Sequence, residues 1–449
     1  MTYKSFLLKL CLFIVLVGLS GVTTAAYGQT SIRGLDCAGI YDAIITLPKV
    51  SFDTPTVWRA LEGDELGFDQ FRDVAKGPVG TLVGAGVTSS EENKTLSPFI
   101  MAFSSKGDIK WENRSSTDSH KTIEAIVRID DQYIAVGNLE NPETNYNGIH
   151  VAYYDREGKI TSEKEIFDDV YDFYAMDIAK HKDDGSVTIL GWADNPADRT
   201  DKFSFLMQLD KTGEIVRRRN YQPGPNNKLL SLTRLFDGSY MAAGWIMLDD
   251  GRKAGWGVRM GKSGYLMWQR SYRRGKNAVL NKAVPHPNEG LVLIGESEPT
   301  QPPPNDQTAA WGMWVSPSGE PVWQRFWRSE YHLSGQDGIS VDGNRLQILV
   351  QAKADDVKKR DHVKILTLTL RGQLIGEEAY MEGGNTVGKT LVKTYQGHRS
   401  VAGYAQTVFS MGDPDAPGEV GIYDAWLLMA NAPEPFTDPC KPGAQNTYQ

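Results

Sequence analysis

Few cysteines, no excess of basic residues and a single long apolar run narrow what this chain can be. Its 449 residues include three cysteines, too few for a small scaffold built on disulfides. Acidic residues outnumber basic ones, 56 to 48, for a formal charge of −8, so no broad positive field exists to hold nucleic acid. Seven scattered histidines lack metal-ligand spacing, which argues against zinc. A strand-to-helix phosphate loop is also missing. Residues 383–390, Gly-Gly-Asn-Thr-Val-Gly-Lys-Thr, match the phosphate-binding pattern, yet the Leu391-Val392-Lys393-Thr394-Tyr395 run after them reads as a strand. The match is read as a Gly-rich connection, and no nucleotide is expected.

The one apolar run, residues 10–19, follows Lys4 and Lys9 and precedes Ala26-Tyr27-Gly28. This is the pattern of a signal peptide over residues 1–28, cut before Gln29, and the run is too short for a stable membrane span. Cys11 stands at the head of the run rather than after it, which disfavours a lipid-modified cysteine at the cleavage site. The mature chain is expected to be soluble and periplasmic or secreted. It retains Cys37 and Cys440, one near each end, and in a compartment that permits disulfides the two are expected to pair.

What the chain has in abundance is glycine, 45 residues, with 22 prolines. The glycines are periodic. Gly86, Gly137, Gly191, Gly244, Gly295, Gln351 and Gly403 follow one another at 51, 54, 53, 51, 56 and 52 residues. A second ladder, Gly107, Gly158, Gly213, Gly264, Gly319 and Gly372, has spacings of 51 to 55. Between the rungs lie period-two apolar runs and turns such as Asp184-Gly185 and Asp237-Gly238. Residues 226–275 show the unit most cleanly, as four short strands. Repeats of this length point to an all-β fold, a seven-bladed β-propeller of four-stranded blades over residues 57–432. The seventh unit lacks a fourth strand, while Val57-Trp58-Arg59-Ala60-Leu61 is a fourth strand without a unit. We expect this N-terminal strand to complete the last blade and remove its open edge. Residues 29–56 read as an irregular lead-in and 433–449 as a tail, with both cysteines beside the seam.

Gly-Trp after the second strand, Asp-Lys-Thr-Gly at the last turn and Val-Trp-Gln-Arg on the fourth strand resemble the repeats of exported bacterial β-propellers of the surface and lipoprotein type. The Gly-x-x-x-Trp element at Gly107, Gly264 and Gly319 is similar to the tryptophan-docking motif of quinoprotein-like propellers. The turns at Gly158, Gly213 and Gly372 lack that tryptophan, so the resemblance does not carry a quinone cofactor with it. It implies a fold and leaves function open.

The short turns share one face, and the long polar loops, 88–97, 138–147, 193–202, 247–253, 296–308, 352–361 and 406–421, share the other. The starts of the inner strands point at that loop-rich mouth with Asp69, Asp118, His120, Asp172, Asn226, Asn227, Asn277, His332 and Asn385, a polar ring suited to a sugar or a cation, or a solvated rim. Asp413, Asp415 and Glu419 are carboxylates of the kind calcium prefers, without the spacing of a full binding loop. Pro302-Pro303-Pro304 reads as a stiff exposed loop, Arg217-Arg218-Arg219 as a solvated edge, and Trp192 and Trp245 as repeat-packing core. No nucleophile with its base and no cofactor motif can be assembled. The chain therefore reads as a non-catalytic propeller that binds an envelope or extracellular protein or polysaccharide through the loop-rich face. The alternative is a glycan-acting enzyme using Asp69, Asp118 and Asp172 as acid and base.

Overall fold

Period-two runs cut by glycine turns leave no stretch long enough for a helix with an apolar face, and the computed structural model is accordingly nearly all strand. It describes residues 41–49, 51–63, 67–89, 95–115, 119–181, 184–298, 307–355, 359–408 and 422–440. The expected signal peptide, Cys37, Asp118, Pro302, Pro303, Pro304, Asp413, Asp415 and Glu419 lie outside the described residues.

Two leading strands, β1 (Asp42–Thr46) and β2 (Thr56–Glu62), come first. Unit one holds β3 (Phe68–Lys76), β4 (Leu82–Ser89), β5 (Ser97–Phe103) and β6 (Ile109–Arg114). Unit two holds β7 (Ala125–Ile129), β8 (Gln132–Glu140), β9 (Asn147–Tyr154) and β10 (Ile160–Ile166). Unit three holds β11 (Asp172–Lys180), β12 (Val187–Asp194), β13 (Lys202–Leu209) and β14 (Ile215–Tyr221). Unit four holds β15 (Asn227–Arg234), β16 (Tyr240–Met247), β17 (Lys253–Met260) and β18 (Leu266–Tyr272). Unit five holds β19 (Ala278–Pro285), β20 (Leu291–Ser297), β21 (Ala309–Val315) and β22 (Pro321–Arg328). Unit six holds β23 (His332–Ser340), β24 (Arg345–Lys353), β25 (His362–Thr369) and β26 (Leu374–Tyr380). Unit seven holds β27 (Thr386–Lys393), β28 (Arg399–Val408) and β29 (Ile422–Ala430).

Strands within a unit pair antiparallel in chain order, and β2 pairs antiparallel with β29, with Trp58 opposite Met429 and Leu61 opposite Trp426. The first strand of each unit packs against the first strand of the next, and β27 packs against β3. Four-stranded meanders packed in this way are the construction of a β-propeller. Their middle strands, such as β5 and β25, are buried throughout because both faces meet neighbouring sheets. The outer strand β14 is mostly exposed, with Arg218 and Arg219 in solvent.

The fourth strands explain the second glycine ladder. Trp268 Nε1 donates to the Pro317 carbonyl at 2.9 Å and Trp323 Nε1 to that of Leu370 at 3.0 Å. Trp58 of the N-terminal strand does the same to Ser105 at 3.0 Å. Each ring lies over the turn glycine of the following unit, where a Cβ on Gly107, Gly319 or Gly372 would come within 2.9 Å of it. Those glycines also have φ of +90°, +83° and +75°, so both space and backbone favour the residue.

The first ladder has a different cause. The inner strands β3, β11, β15, β19, β23 and β27 each carry one extra residue, a bulge, against the second strand of the unit. A bulge pushes a carbonyl toward its partner strand, and a Cβ on Gly86, Gly244, Gly295 or Gly403 would stand 1.8 to 1.9 Å from a carbonyl oxygen; one on Gly137 would stand 1.8 Å from that of Thr122, just before β7. In unit six the second strand has Gln351 instead. Its amide turns to unit seven, donating to the Thr386 carbonyl at 3.0 Å and accepting the Gly388 N–H at 3.0 Å. Gly244→Ala is expected to cost about 3 kcal/mol, read as a lower urea midpoint at constant slope. Gly251→Ala, with φ of +78° but nothing within 4 Å of the added carbon, should cost about 1 kcal/mol. Equal losses at the two sites would remove the bulge as the reason for the ladder.

Two expectations need correction. Residues 29–56 are not irregular throughout: β1 pairs parallel with β22 and makes unit five a five-stranded sheet. The outer edge of β22 offers unpaired backbone groups, and Ile45 and Leu47 pack into the cluster around Trp323 and Trp327. A strand of five residues is too short to show a readable period. The second correction concerns Cys440, which is disulfide-bonded but sits against unit six rather than the seam. Arg399 donates to the Asn431 carbonyl, Arg345 to that of Glu434 and Arg371 to that of Cys440. Arg399 holds the start of the tail at unit seven, and Arg345 and Arg371 then carry it across unit six.

Candidate functional site

The polar ring at the loop-rich mouth is a set of bonds between units. The N–H groups at the heads of the third strands need acceptors, and the next unit supplies them. His120 Nδ1 accepts from Leu96 N at 3.1 Å. Asp172 Oδ1 accepts from Asn147 N at 2.7 Å and Asn227 Oδ1 from Ser204 N at 3.1 Å. Asn277 Oδ1 accepts from Lys253 N at 2.9 Å, His332 Nδ1 from Thr308 N at 3.2 Å and Asn385 Oδ1 from Asp361 N at 3.0 Å. In each case the acceptor belongs to one unit and the donor to the unit before it. Asn226 contributes through its carbonyl, which accepts from Met247 N at 2.8 Å. Asp69 is fully buried against Arg114 Nη1 at 2.8 Å. The acids nominated for catalysis that the structure describes, Asp69 and Asp172, thus already hold hydrogen bonds within the fold.

Deeper in the channel lies a layer that sequence reasoning missed. Asp73, Asp177 and Asp337 occupy the same place on three inner strands, one residue past the bulge. Each Oδ1 accepts the N–H of the next residue, Val74, Ile178 or Gly338, at 2.7 to 2.8 Å. Each Oδ2 accepts an N–H from the inner strand of the following unit, Ile126, Leu232 or Leu391, at 2.7 to 2.9 Å. An inner strand has no partner on its channel edge, so these carboxylates satisfy donors that would otherwise be open. Lys282 holds the equivalent position on β19, with Nζ 3.7 Å from Asp177 and 3.9 Å from Asp337. Burial pushes the Asp73 carboxyl up to about 7, and it raises Asp177 as well. Burial works against the Lys282 ammonium, but Asp337, Asp177 and Asp73 outweigh it and hold Lys282 above its ordinary range. The repeat period was the available signal, since all four residues fall at one phase of it. Among the described residues no three His, Cys, Asp or Glu side chains are placed to hold a metal ion.

Between this layer and the loops the wall is aromatic and basic. Trp192 and Trp245, expected as core, are only partly buried. Tyr174 stacks on Trp192 with centroids 4.2 Å apart, and Lys228 Nζ lies 4.0 Å over the same ring. Lys253 Nζ lies 4.3 Å over Trp245. Residues 386–390 of the phosphate-loop match belong to β27, a strand and not a helix.

No protein-family profile and no curated protein sequence matches this chain. Among solved structures it is similar to a neuraminidase-like protein of A/flat-faced bat/Peru, with 11% identity over 87% of this chain and 97% of that one and a TM-score of 0.43. It is similar to puromycin hydrolase at 12% identity, over 74% of this chain and 50% of that one, with a TM-score of 0.49. A third likeness is to the β-propeller domain of the Trilobed protease from Pyrococcus furiosus, at 9% identity over 76% and 90% of the two chains and a TM-score of 0.42. These likenesses concern fold and carry nothing about ligand or reaction.

Proposed function

We propose that this chain is an exported, non-catalytic, seven-bladed β-propeller, closed by β2 in its last blade, that binds a protein partner or a polysaccharide through its loop-rich face. The observation that carries the reading is the use of the mouth residues. A general acid or base must be able to exchange its proton with substrate, whereas Asp172 serves a backbone N–H and Asp69 an arginine. The loop side of the same mouth holds the partly open rings of Tyr174, Trp192 and Trp245, the kind of surface on which a sugar or a side chain of a partner stacks.

The test is to incubate the mature protein with a panel of envelope and extracellular polysaccharides, scoring retained complex and released product together. Retention without product is expected. Replacing residues 195–201 and 248–252 by short glycine-serine links should weaken retention about tenfold. Product formation that disappears in Asp69→Asn or Asp172→Asn would replace this reading with a glycan-acting enzyme.

A further inference from the structure

We propose that the loop-facing half of the channel holds one oxyanion, so that the glycan accepted by this face is an acidic one, carrying uronate or sulfate. The proposal rests on the polysaccharide branch of the function above. Three inner strands bring cations to this level: Arg72 on β3, Lys228 on β15 and Lys389 on β27. Arg72 and Lys389 are the bulge residues themselves, turned toward the channel by the extra residue in the strand.

One carboxylate acts on all three. Glu124 Oε1 accepts the Thr122 hydroxyl at 3.0 Å, and Oε2 stands 4.0 Å from Arg72 Nη1. Both lysines feel its attraction. Asp194, the other acid near Lys228, is engaged by Arg199 at 3.1 Å and Lys202 at 3.8 Å. Among these four groups, three cations against Glu124 leave two positive charges in excess. Their donors are also unused. Among the described residues neither Lys228 Nζ nor Lys389 Nζ meets a hydrogen-bond acceptor, and Arg72 Nε is buried with no partner. Instead the ammonium groups rest on rings, Lys228 at 4.0 Å from the Trp192 centroid and Lys389 at 5.8 Å from that of Tyr404. Burial pushes both lysines below their ordinary range, a cost that an incoming oxyanion would relieve.

The geometry also limits how far such a group travels. The layer of Asp73, Asp177 and Asp337 lies one residue beyond Arg72 and Lys389 along the inner strands, and three beyond Lys228, and repels it, so an anion stops on the loop side of that layer. Free phosphate or a protein carboxylate would be drawn by the same charges. The partly open rings of Tyr174, Trp192 and Tyr404 around the cations favour a ligand with flat apolar faces next to its charge, as in a pyranose bearing a uronate or sulfate.

The experiment is calorimetric titration of the mature protein with a tetragalacturonate, a sulfated tetrasaccharide and a neutral galactotetraose. At least one acidic sugar should bind about tenfold more tightly than the neutral one, with an affinity that falls as salt rises. Lys228→Gln with Lys389→Gln should remove that preference, while Glu124→Gln, which deletes the competing carboxylate, should strengthen acidic binding a few-fold. Lys76→Gln, at the opposite mouth, should change nothing. Melting curves of the variants confirm that each is folded. Equal binding of neutral and acidic sugars, no acidic binding, or weaker binding in Glu124→Gln would overturn the proposal. Retention that needs the loops but neither lysine would overturn the anion site alone and leave the loop-face reading standing. Acidic binding that survives loop replacement would do the reverse.

Discussion

A chain lacking residues 1–62 is expected to be insoluble or to unfold without a cooperative transition, whereas one lacking only residues 1–50 keeps a single transition at a lower temperature. The difference is β2. It pairs along its length with β29 and buries Trp58 and Ala60 in a cluster with Phe71, Phe103 and Leu427. Removing it uncovers the edge of β29, whose Trp426, Leu427 and Leu428 are at most 1% exposed, and an apolar edge of this kind templates aggregation. It also takes the Trp58 ring from the Gly107 turn of unit one. The shorter deletion removes β1, which pairs with β22 on the outside of one sheet and leaves the β2–β29 pairing in place. Unchanged melting of the longer deletion would mean that the seam does not hold the fold together.

The second large effect is expected at Lys282. Lys282→Met leaves Asp73, Asp177 and Asp337 around one stretch of channel with no cation among them. Breaking a buried ion cluster by removing one partner costs several kcal/mol. The Lys282 side chain keeps 30% of its surface open, so screening by channel water reduces the cost to about 3 kcal/mol. The pH dependence separates this from lost packing. The Asp73 carboxyl is raised in the folded state from 3.8 to about 7, so its contribution to stability is fully present below about pH 4 and is lost as pH rises through about 7. Without Lys282 the Asp73 and Asp177 carboxyls are harder to ionise. The deficit of Lys282→Met should therefore be largest at pH 8 and smaller at pH 5, measured by urea unfolding at each pH. The same deficit at both would assign the effect to packing.

Much of the fold was legible because the bulge forces glycine on its neighbour. A carbonyl under 2 Å from a would-be Cβ leaves few residues to choose from, so Gly86, Gly137, Gly244, Gly295 and Gly403 mark the repeat even where every apolar position has drifted. The orphan strand at Val57 was legible for a similar reason, since its tryptophan lands on a turn glycine. β1 was not, because its partner, β22, lies far away in the sequence and parallel pairing leaves no hairpin turn to recognise. The mouth residues stood out as polar and periodic, but sequence alone does not say whether a periodic acceptor faces a ligand or a backbone N–H. Asp73, Asp177, Lys282 and Asp337 escaped because the bulge shifts the strand by one residue, so a plain alternation pattern puts them out of phase with the channel.

The bonds at the mouth bear on how such a chain changes size over generations. Each of the six side-chain acceptors, from His120 to Asn385, serves the unit before its own, and units one to six each offer a third-strand N–H to the unit after. A segment one period long therefore carries one complete half of each joint, whichever residue it starts from. Duplicating or excising it in register would pair old halves with new ones and leave no acceptor idle. The joints transmit the period and are indifferent to copy number, which falls instead to the inclination between neighbouring sheets and to where β2 finds its edge.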